Sequence, residues 1–199
     1  DRMAGSQYIA LSGMRSRLDH LDRLAADIAN VGTAGYKSER ATDTQANRPQ
    51  FGAVLQSAID VTTGARQLDV RPGNITPTGR DLDVALEGDG FFVIETPNGT
   101  RYTRNGHFSR SADGTLVTDD GSAVQGVNGA IKLGSGDVTV DPDGTVRTGT
   151  SVAGRLKVVA FEKVEGLVAE GGARLRAGAQ APVEVARPLV RGGALEQSN

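Results

Sequence analysis

Apolar residues near the beginning of the chain recur every three or four positions, which is the period of an amphipathic α-helix. The pattern covers residues 7–29 and is followed by Gly32, a residue type that commonly ends helices. Its apolar positions form a narrow stripe, here called the apolar seam, whose members are Leu11, Met14, Leu18, Leu21, Ala25 and Ile28. Such a seam is typical of helices that pack in coiled coils, although packing on the protein's own body is an equally simple explanation.

The helical pattern stops at Asn30, and the next residues combine two glycines with a threonine, a tyrosine and a lysine. Glycine permits a sharp change of backbone direction, and polar side chains near a helix end can bond its last free backbone groups. A tyrosine can anchor such a turn by packing its ring. We therefore expect an ordered loop over residues 30–37, here called the junction loop, which turns the chain away from the helix.

The segment after the junction loop changes character twice. Residues 38–58 are polar and lack a clean period, which indicates an extended linker with a short turn of helix at 51–57. Apolar and polar residues then begin to alternate at 61–62, 68–70 and 82–86. Alternation of this kind predicts the first β-strands.

Turn dipeptides punctuate the rest of the chain. Asn-Gly and Asp-Gly pairs favour tight hairpins because they tolerate positive φ at both central turn positions, and they stand at 98–99, 105–106, 113–114 and 120–121. Strands are predicted at 91–94, 101–103, 115–118, 123–127, 138–140, 145–148 and 155–161. The predicted fold class is mainly β with an N-terminal α-helix: a compact multi-hairpin β domain, an extended linker and a terminal helix of the coiled-coil type.

The composition is typical of a turn-rich β protein and excludes every kind of site that needs a cysteine. Glycine makes up 27 of the 199 residues, and aromatic residues only 4%. The absence of cysteine excludes disulfides, zinc-thiolate sites and thiol catalysis. Residues 81–143 hold eleven acidic and four basic residues, whereas residues 144–199 hold five acidic and eight basic ones. This split fits a solvated β surface with acidic turns.

The charge and hydropathy patterns limit the partners. A net charge of −2 gives no reason to expect nucleic acid or an anionic membrane surface as a partner. No apolar run reaches the roughly 18 residues of a membrane-spanning helix, so no membrane insertion is expected. No basic segment followed by an apolar run marks a Sec signal, so we expect any export to use another route.

Acidic residues are the strongest candidates for catalysis, and four of them lie close together: Asp81, Asp83, Glu87 and Asp89. A catalytic carboxylate pair needs a cleft and a raised pKa on one member, and its members usually come from distant parts of a chain. Asp141 and Asp143 fit a Pro-Asp-Gly turn better than a calcium loop, which needs further ligands and a terminal glutamate. Neither His20 nor His107 has a Ser or Asp neighbour that stands out as a triad partner. We expect no enzyme, no metal and no cofactor, and an acidic surface site remains the enzyme alternative.

Four segments resemble, in the same order, segments of the bacterial flagellar axial proteins, which are the rod, hook and hook-junction subunits. In the first, ALSGM leads a helix into IANVGTAGYKSER, which matches the family pattern A-N-x-x-T-x-G-Y-K at Asn30, Thr33, Gly35, Tyr36 and Lys37. The second and third are TPTGRDLDVALEGDGFFVI and YTRNGHFSRSADGTLVTDDGSAVQG. The fourth, GGALEQSN, is similar to the run that introduces the C-terminal helix of the family.

The resemblance implies a structural subunit that polymerises helically, transmits torque through the periplasm and encloses an export channel. Its partners would be other axial subunits, bound through terminal helices, and the flagellar export apparatus. The seam from Leu11 to Ile28 would then be an assembly surface. The short chain favours a rod subunit over a hook subunit, and the resemblance favours the proximal over the distal rod. The expected location is the basal-body rod, reached without a cleavable Sec signal.

The resemblance also implies a division of the chain. We expect an assembly helix and turn loop at 1–37, a linker with first strands at 38–80, a β-rich body at 81–185 and a return segment at 186–199. In the family the seam packs with a C-terminal helix beyond that return segment, so the 199 residues are either a truncated chain or an unusual subunit. If they are truncated, we expect them not to form a proper rod alone. Two alternatives remain: a distal rod or hook subunit of the same family, and a non-flagellar β-domain binding module with a helical oligomerisation handle.

Overall fold

The structure is a computed structural model, and the residues that it describes are 14, 17–18, 20–22, 24–30, 32–37, 39–41, 66–68, 73–171 and 173–198. The chain divides into two compact units. One contains residues 1–30 and 39–67, and the other, here called the β body, contains residues 31–38 and 68–199. The four-part division predicted from the sequence remains a prediction.

The predicted N-terminal helix is present in the first unit. Every described residue from Met14 to Ala29 is helical, and Asn30 forms the turn that follows. Leu11, the helical turn predicted at 51–57 and the alternation predicted at 61–62 lie outside the described residues. None of the helical residues described belongs to a helix long and apolar enough to cross a membrane.

The rest of the described chain is built from short strands. Two of them, β1 (Glu39–Ala41) and β2 (Arg66–Leu68), pair with each other. The others are β3 (Ile75–Pro77), β4 (Val84–Glu87), β5 (Phe91–Thr96), β6 (Gly99–Thr103), β7 (Phe108–Arg110), β8 (Leu116–Thr118), β9 (Ala123–Gly126), β10 (Gly129–Ala130), β11 (Val138–Val140), β12 (Thr145–Thr148), β13 (Ser151–Arg155), β14 (Val158–Ala160), β15 (Leu167–Glu170), β16 (Arg174–Ala177), β17 (Val183–Glu184), β18 (Leu189–Gly192) and β19 (Ala194–Glu196). A single 3-10 turn, Val164–Gly166, is described between β14 and β15. The prediction of a mainly β fold with an N-terminal helix is confirmed.

Antiparallel pairing joins distant parts of the chain in the β body. The largest sheet has the order β15-β16-β6-β5-β9-β8-β7, with β10 added on β9, and β14 pairs with both β5 and β17. Strands β11, β12 and β13 form a second sheet. The last two strands return to the first ones, because β18 pairs with β4 and β19 pairs with β3. Residues near the end of the chain therefore lie beside residues 75–87.

Strand β5 lies between two apolar clusters, which explains its unbroken apolar sequence. Phe92 and Ile94 pack in the larger cluster, where the Phe92 and Phe108 rings meet edge to face at 5.1 Å. Phe91 and Val93 face the smaller cluster, which also contains Tyr102 and other aromatic and aliphatic side chains. Successive side chains of a strand point to opposite faces, so a strand covered on both faces needs apolar residues throughout. The strand predicted from the run FFVI is confirmed.

The hairpin predicted at residues 105–106 is wrong. Strand β6 pairs with β5 and β16, whereas β7 pairs with β8, so the two segments that flank Asn105 and Gly106 are not partners. Gly106 instead lies against strand β4, where its carbonyl oxygen accepts a 3.0 Å hydrogen bond from the Val84 N–H. Glycine is needed at this position because two backbones approach each other closely, and not because the chain forms a hairpin turn there.

The strand predicted at 155–161 also differs from the structure. Two strands occupy the region, β13 (Ser151–Arg155) and β14 (Val158–Ala160), and they belong to different sheets. The backbone between them bonds elsewhere, since the Leu156 N–H donates to Gly144 and the Lys157 N–H donates to Gln125. The turn before β13 lacks an Asn-Gly or Asp-Gly pair, so no turn dipeptide marks where that strand begins.

Aspartates stabilise the hairpin turns through their ionised form. Hydrogen bonds from Lys132 and from the hydroxyls of Ser111 and Thr115 hold the pKa of Asp113 well below its usual range. The Lys132 Nζ lies 2.5 Å from an Asp113 carboxylate oxygen, and the Thr115 hydroxyl donates to the same carboxylate at 2.8 Å. These bonds favour the charged carboxylate and therefore favour the folded turn when Asp113 is ionised.

Two other turns contain an aspartate whose ionised form is stabilised by hydrogen bonds in the same way. Backbone and side-chain hydrogen bonds from Thr145 lower the pKa of Asp143. Burial raises the pKa of Asp120, but hydrogen bonds from Thr118 and Ser122, together with a nearby arginine, outweigh it and leave that pKa lowered. The β body thus carries several carboxylates that the fold holds ionised.

Acidification is expected to destabilise the β body. A carboxylate with a lowered folded-state pKa stabilises fully above its unfolded pKa, about 3.9 for aspartate, and loses that contribution as the pH falls further. The Tm should stay nearly constant down to about pH 5 and decline below about pH 4. An Asp113→Asn variant should melt below the wild type at neutral pH, and the difference should shrink in acid. Circular dichroism melts across the pH range test this, and a difference that grows in acid contradicts it.

Candidate functional site

The apolar seam lies on the described helix with its side chains exposed. Its described members are Met14, Leu18, Leu21, Ala25 and Ile28, and all five are exposed. The four larger side chains keep between 58% and 65% of their surface accessible to solvent. A row of large apolar side chains in water is uncommon in monomeric proteins and marks a contact surface. The seam is therefore a candidate assembly site.

The helix ends in a hydrogen-bonded turn at Asn30. Its side-chain Nδ2 donates a 2.8 Å hydrogen bond to the carbonyl oxygen of Ala26, and its backbone N–H donates to the same oxygen at 3.1 Å. Further along the junction loop, the Tyr36 N–H donates to the Thr33 carbonyl at 3.2 Å. Polar groups at the helix end and in the loop are thereby bonded locally, as helix termini require.

Gly35 holds the junction loop tightly against the β body. Its φ of +66° lies in the left-handed region, and a Cβ atom there would lie 2.4 Å from the backbone carbon of Arg104 and the backbone nitrogen of Asn105. Its N–H donates a 2.9 Å hydrogen bond to the carbonyl oxygen of Glu196. Both the backbone conformation and the lack of space therefore require glycine at this position.

Three buried charged side chains meet beneath the junction loop, and we call them the Glu196 cluster: Lys37, Arg104 and Glu196. One Glu196 carboxylate oxygen accepts hydrogen bonds from the Lys37 Nζ at 2.6 Å and from the Gly73 N–H at 2.9 Å. The other oxygen accepts from the Arg104 Nε at 2.8 Å and lies 2.8 Å from the Arg104 Nη2. The Glu196 side chain has no exposed surface, and those of Lys37 and Arg104 are each 2% exposed.

Arg104 also fixes the backbone that leads into strand β5. Its Nη1 donates to the carbonyl oxygens of Gly88 and Gly90 at 2.8 and 2.7 Å. Its guanidinium lies 6.0 Å from the centre of the Phe91 ring, within the range of a cation–π contact. Removing one partner from a buried ion pair typically costs about 3–5 kcal/mol, so the cluster couples the junction loop to the β body energetically.

The four acidic residues considered for catalysis do not share one environment. Asp81 and Asp89 are exposed, and Glu87 forms a 2.6 Å ion pair with Arg191 on the neighbouring strand. Asp83 is buried, and one of its carboxylate oxygens lies 2.7 Å from the Nδ1 of His107. In the described part of the chain, no group of three or more metal-binding side chains is placed to hold an ion.

Sequence reasoning missed two sets of contacts. His107 does have an aspartate neighbour, Asp83, which stands far from it in sequence but opposite it across a β-bridge. The Glu196 cluster was missed as well, although one signal could have pointed to it. In strand β19 the residues Ala194 and Glu196 alternate with Leu195, so the pattern places a glutamate on the same inward face as a buried alanine.

The sequence of this chain is similar to those of known proteins. Residues 85–148 match the model of the flagellar hook protein FlgE/F/G D1 domain. The chain is 34% identical to the flagellar basal-body rod protein FlgG of Bacillus subtilis, over 83% of this chain and 70% of that relative. It is 32% identical to the flagellar basal-body rod protein FlgF of Caulobacter vibrioides, over 99% of this chain and 83% of that relative. For FlgF of Salmonella typhimurium the identity is 33%, over 96% and 82%. The chain therefore belongs to the family of flagellar basal-body rod proteins.

Proposed function

We propose that this chain is a structural subunit of the flagellar basal-body rod and that the apolar seam is its assembly surface. The observation that carries the proposal is the row of exposed apolar side chains from Met14 to Ile28 on the terminal helix. Family membership supports the role in the rod, since relatives over most of the chain bear the name of rod proteins. Rod proteins are structural proteins, and we assign the chain no catalytic activity or cofactor.

Burial of the seam would drive association. A fully buried Leu, Ile or Met side chain contributes about 1.5–3 kcal/mol relative to an exposed one. The four large seam residues already bury about two fifths of their surface, so each would add about 1–2 kcal/mol on full burial. Part of this gain offsets the cost of ordering and immobilising the helix. The free energy of burial that is left suffices for association when each subunit makes several such contacts.

The proposed assembly is an open helical polymer. Subunits that repeat through two different surfaces, rather than one self-complementary surface, form open filaments when the rotation does not close. In the rod, the terminal helix would supply one such surface, with neighbouring axial subunits as partners. The polymer would span the periplasm, transmit torque and enclose the export channel. The subunit would reach it through the flagellar export apparatus, without a cleavable Sec signal.

Two finer assignments belong to the proposal. We place the subunit in the proximal rod, which is the position that the resemblance of the sequence favours. We also assign separate roles along the chain: assembly helix and turn loop at 1–37, linker at 38–80, body at 81–185 and return segment at 186–199.

Localisation tests the proposed function directly. Basal bodies purified from the native organism should contain this protein, detected by mass spectrometry and by antibody labelling in electron micrographs. Deleting its gene should abolish swimming and leave no hook beyond the inner part of the basal body. Normal swimming of the deletion strain, or absence of the protein from purified basal bodies, would rule out a rod subunit.

A further inference from the structure

Three segments that are distant in sequence meet at the Glu196 carboxylate. Lys37 comes from the junction loop, Gly73 precedes strand β3, and Arg104 follows strand β6. The backbone of Glu196 makes a further contact, because its carbonyl oxygen accepts the Gly35 N–H. One residue near the end of strand β19 thus holds both the side chain and the backbone of the junction loop.

The charges at this site make the order of docking matter. Lys37 and Arg104 are both cations and both buried, and both contact the Glu196 carboxylate. Two like charges brought together in a buried site repel strongly, and each loses its hydration. Seating Lys37 beside Arg104 is therefore much less favourable until a negative charge lies between them.

The position of Glu196 links this charge to strand β19. Glu196 is carried by β19, and it is held in place when β19 pairs with β3 in the register Glu196 to Ile75. The junction loop precedes this strand by more than 150 residues, since the Lys37 and Glu196 partners are 159 positions apart. The loop consequently depends on a strand that is synthesised well after it.

We propose that the Glu196 cluster is a latch, in which the junction loop docks on the β body only after strand β19 has brought Glu196 into place. The latch concerns the folding of a single chain and goes beyond the proposed role in the rod. Its consequence is that the segment after the assembly helix takes its final path only after β19 has paired with β3. A chain without β19 would therefore leave the junction loop undocked.

Amide hydrogen exchange on the full 199-residue chain tests the latch. The Glu196→Gln variant keeps the shape of the side chain and removes its charge. We expect peptides covering residues 32–37 to exchange about tenfold faster than in the wild type, while β5 peptides keep their protection. A Glu87→Gln variant is the matched control, because it makes the same change in the exposed ion pair with Arg191 and should leave the loop unchanged.

A second variant keeps the test decisive if Glu196→Gln does not fold. Lys37→Met removes one cation but leaves the Arg104–Glu196 pair, so the body should fold while the loop exchanges faster. Loop protection equal to the wild type in Lys37→Met would overturn the latch. An equal loss of protection in the loop and in β5 would also overturn it, because the cluster would then act only on global stability. Neither exchange measurement depends on rod assembly, so failure of the latch is distinguishable from failure of the proposed function.

Discussion

A Gly106→Ala variant is expected to lose about 4 kcal/mol or more of its folding free energy, which would unfold a large fraction of the β body. A Cβ atom on Gly106 would lie 1.6 Å from the carbonyl oxygen of Val84 and 2.7 Å from its carbon. Both atoms belong to the backbone of β4, so no side-chain rotation relieves the overlap. Strand β4 would have to move, and Val84 and Leu86 would leave the larger apolar cluster.

Urea unfolding followed by circular dichroism measures this loss. Gly171→Ala is the control, because a Cβ atom on Gly171 would meet no described atom within 4 Å beyond its chain neighbours, and the substitution makes the same chemical change. The control should unfold within about 1 kcal/mol of the wild type. If Gly106→Ala were as stable as the control, the close packing of Gly106 on β4 would be refuted.

Replacing two leucines of the apolar seam is expected to abolish rod assembly while the β body stays folded. In the Leu18→Gln, Leu21→Gln double variant, each change removes about 1–2 kcal/mol of apolar burial from the assembled state. The combined loss weakens each subunit contact by roughly 30-fold to 700-fold, and a polymer multiplies that effect over its contacts. Both side chains are more than half exposed in the monomer, so its folding should change little.

Complementation of the deletion strain, with each variant made in the native gene that encodes this chain, tests the seam. The double variant should fail to restore swimming, although immunoblots show normal levels and the purified protein melts at the wild-type temperature. Leu189→Gln is the matched control, since Leu189 is 61% exposed on strand β18 of the body. It should swim normally. Swimming by the double variant, or an equal defect in Leu189→Gln, would show that the seam is not the assembly surface.

Local patterns predicted much of this protein. The spacing from Met14 to Ile28 predicted the helix, and the run FFVI predicted a strand, which the structure places between two apolar clusters. Both depend on interactions between near neighbours or on burial of one segment, which the hydrophobic pattern records directly. The turn chemistry of Asp113 and Asp143 is equally local, because each aspartate bonds a threonine two residues later.

Features that depend on distant contacts were not predictable in the same way. Nothing near Gly106 indicates that β4 will pass against it, so an Asn-Gly pair was interpreted as a hairpin. The Glu196 cluster joins charged residues that are 92 and 159 positions apart, and their pairing follows from the sheet topology. The resemblance to flagellar axial proteins marked Lys37 as part of a motif, but only the structure shows which carboxylate it contacts.

We expect the apolar seam to be free of its partner in the soluble chain and to become buried on assembly. Amide hydrogen exchange on the soluble monomer tests this, by comparing helix residues 14–28 with body residues 81–160. Exchange should be fast along the helix beside a well-protected body, because an isolated helix of this length is marginal in water. Strong protection from Met14 to Ile28 in a monomer would contradict it, since the helix would then already be packed on its own chain.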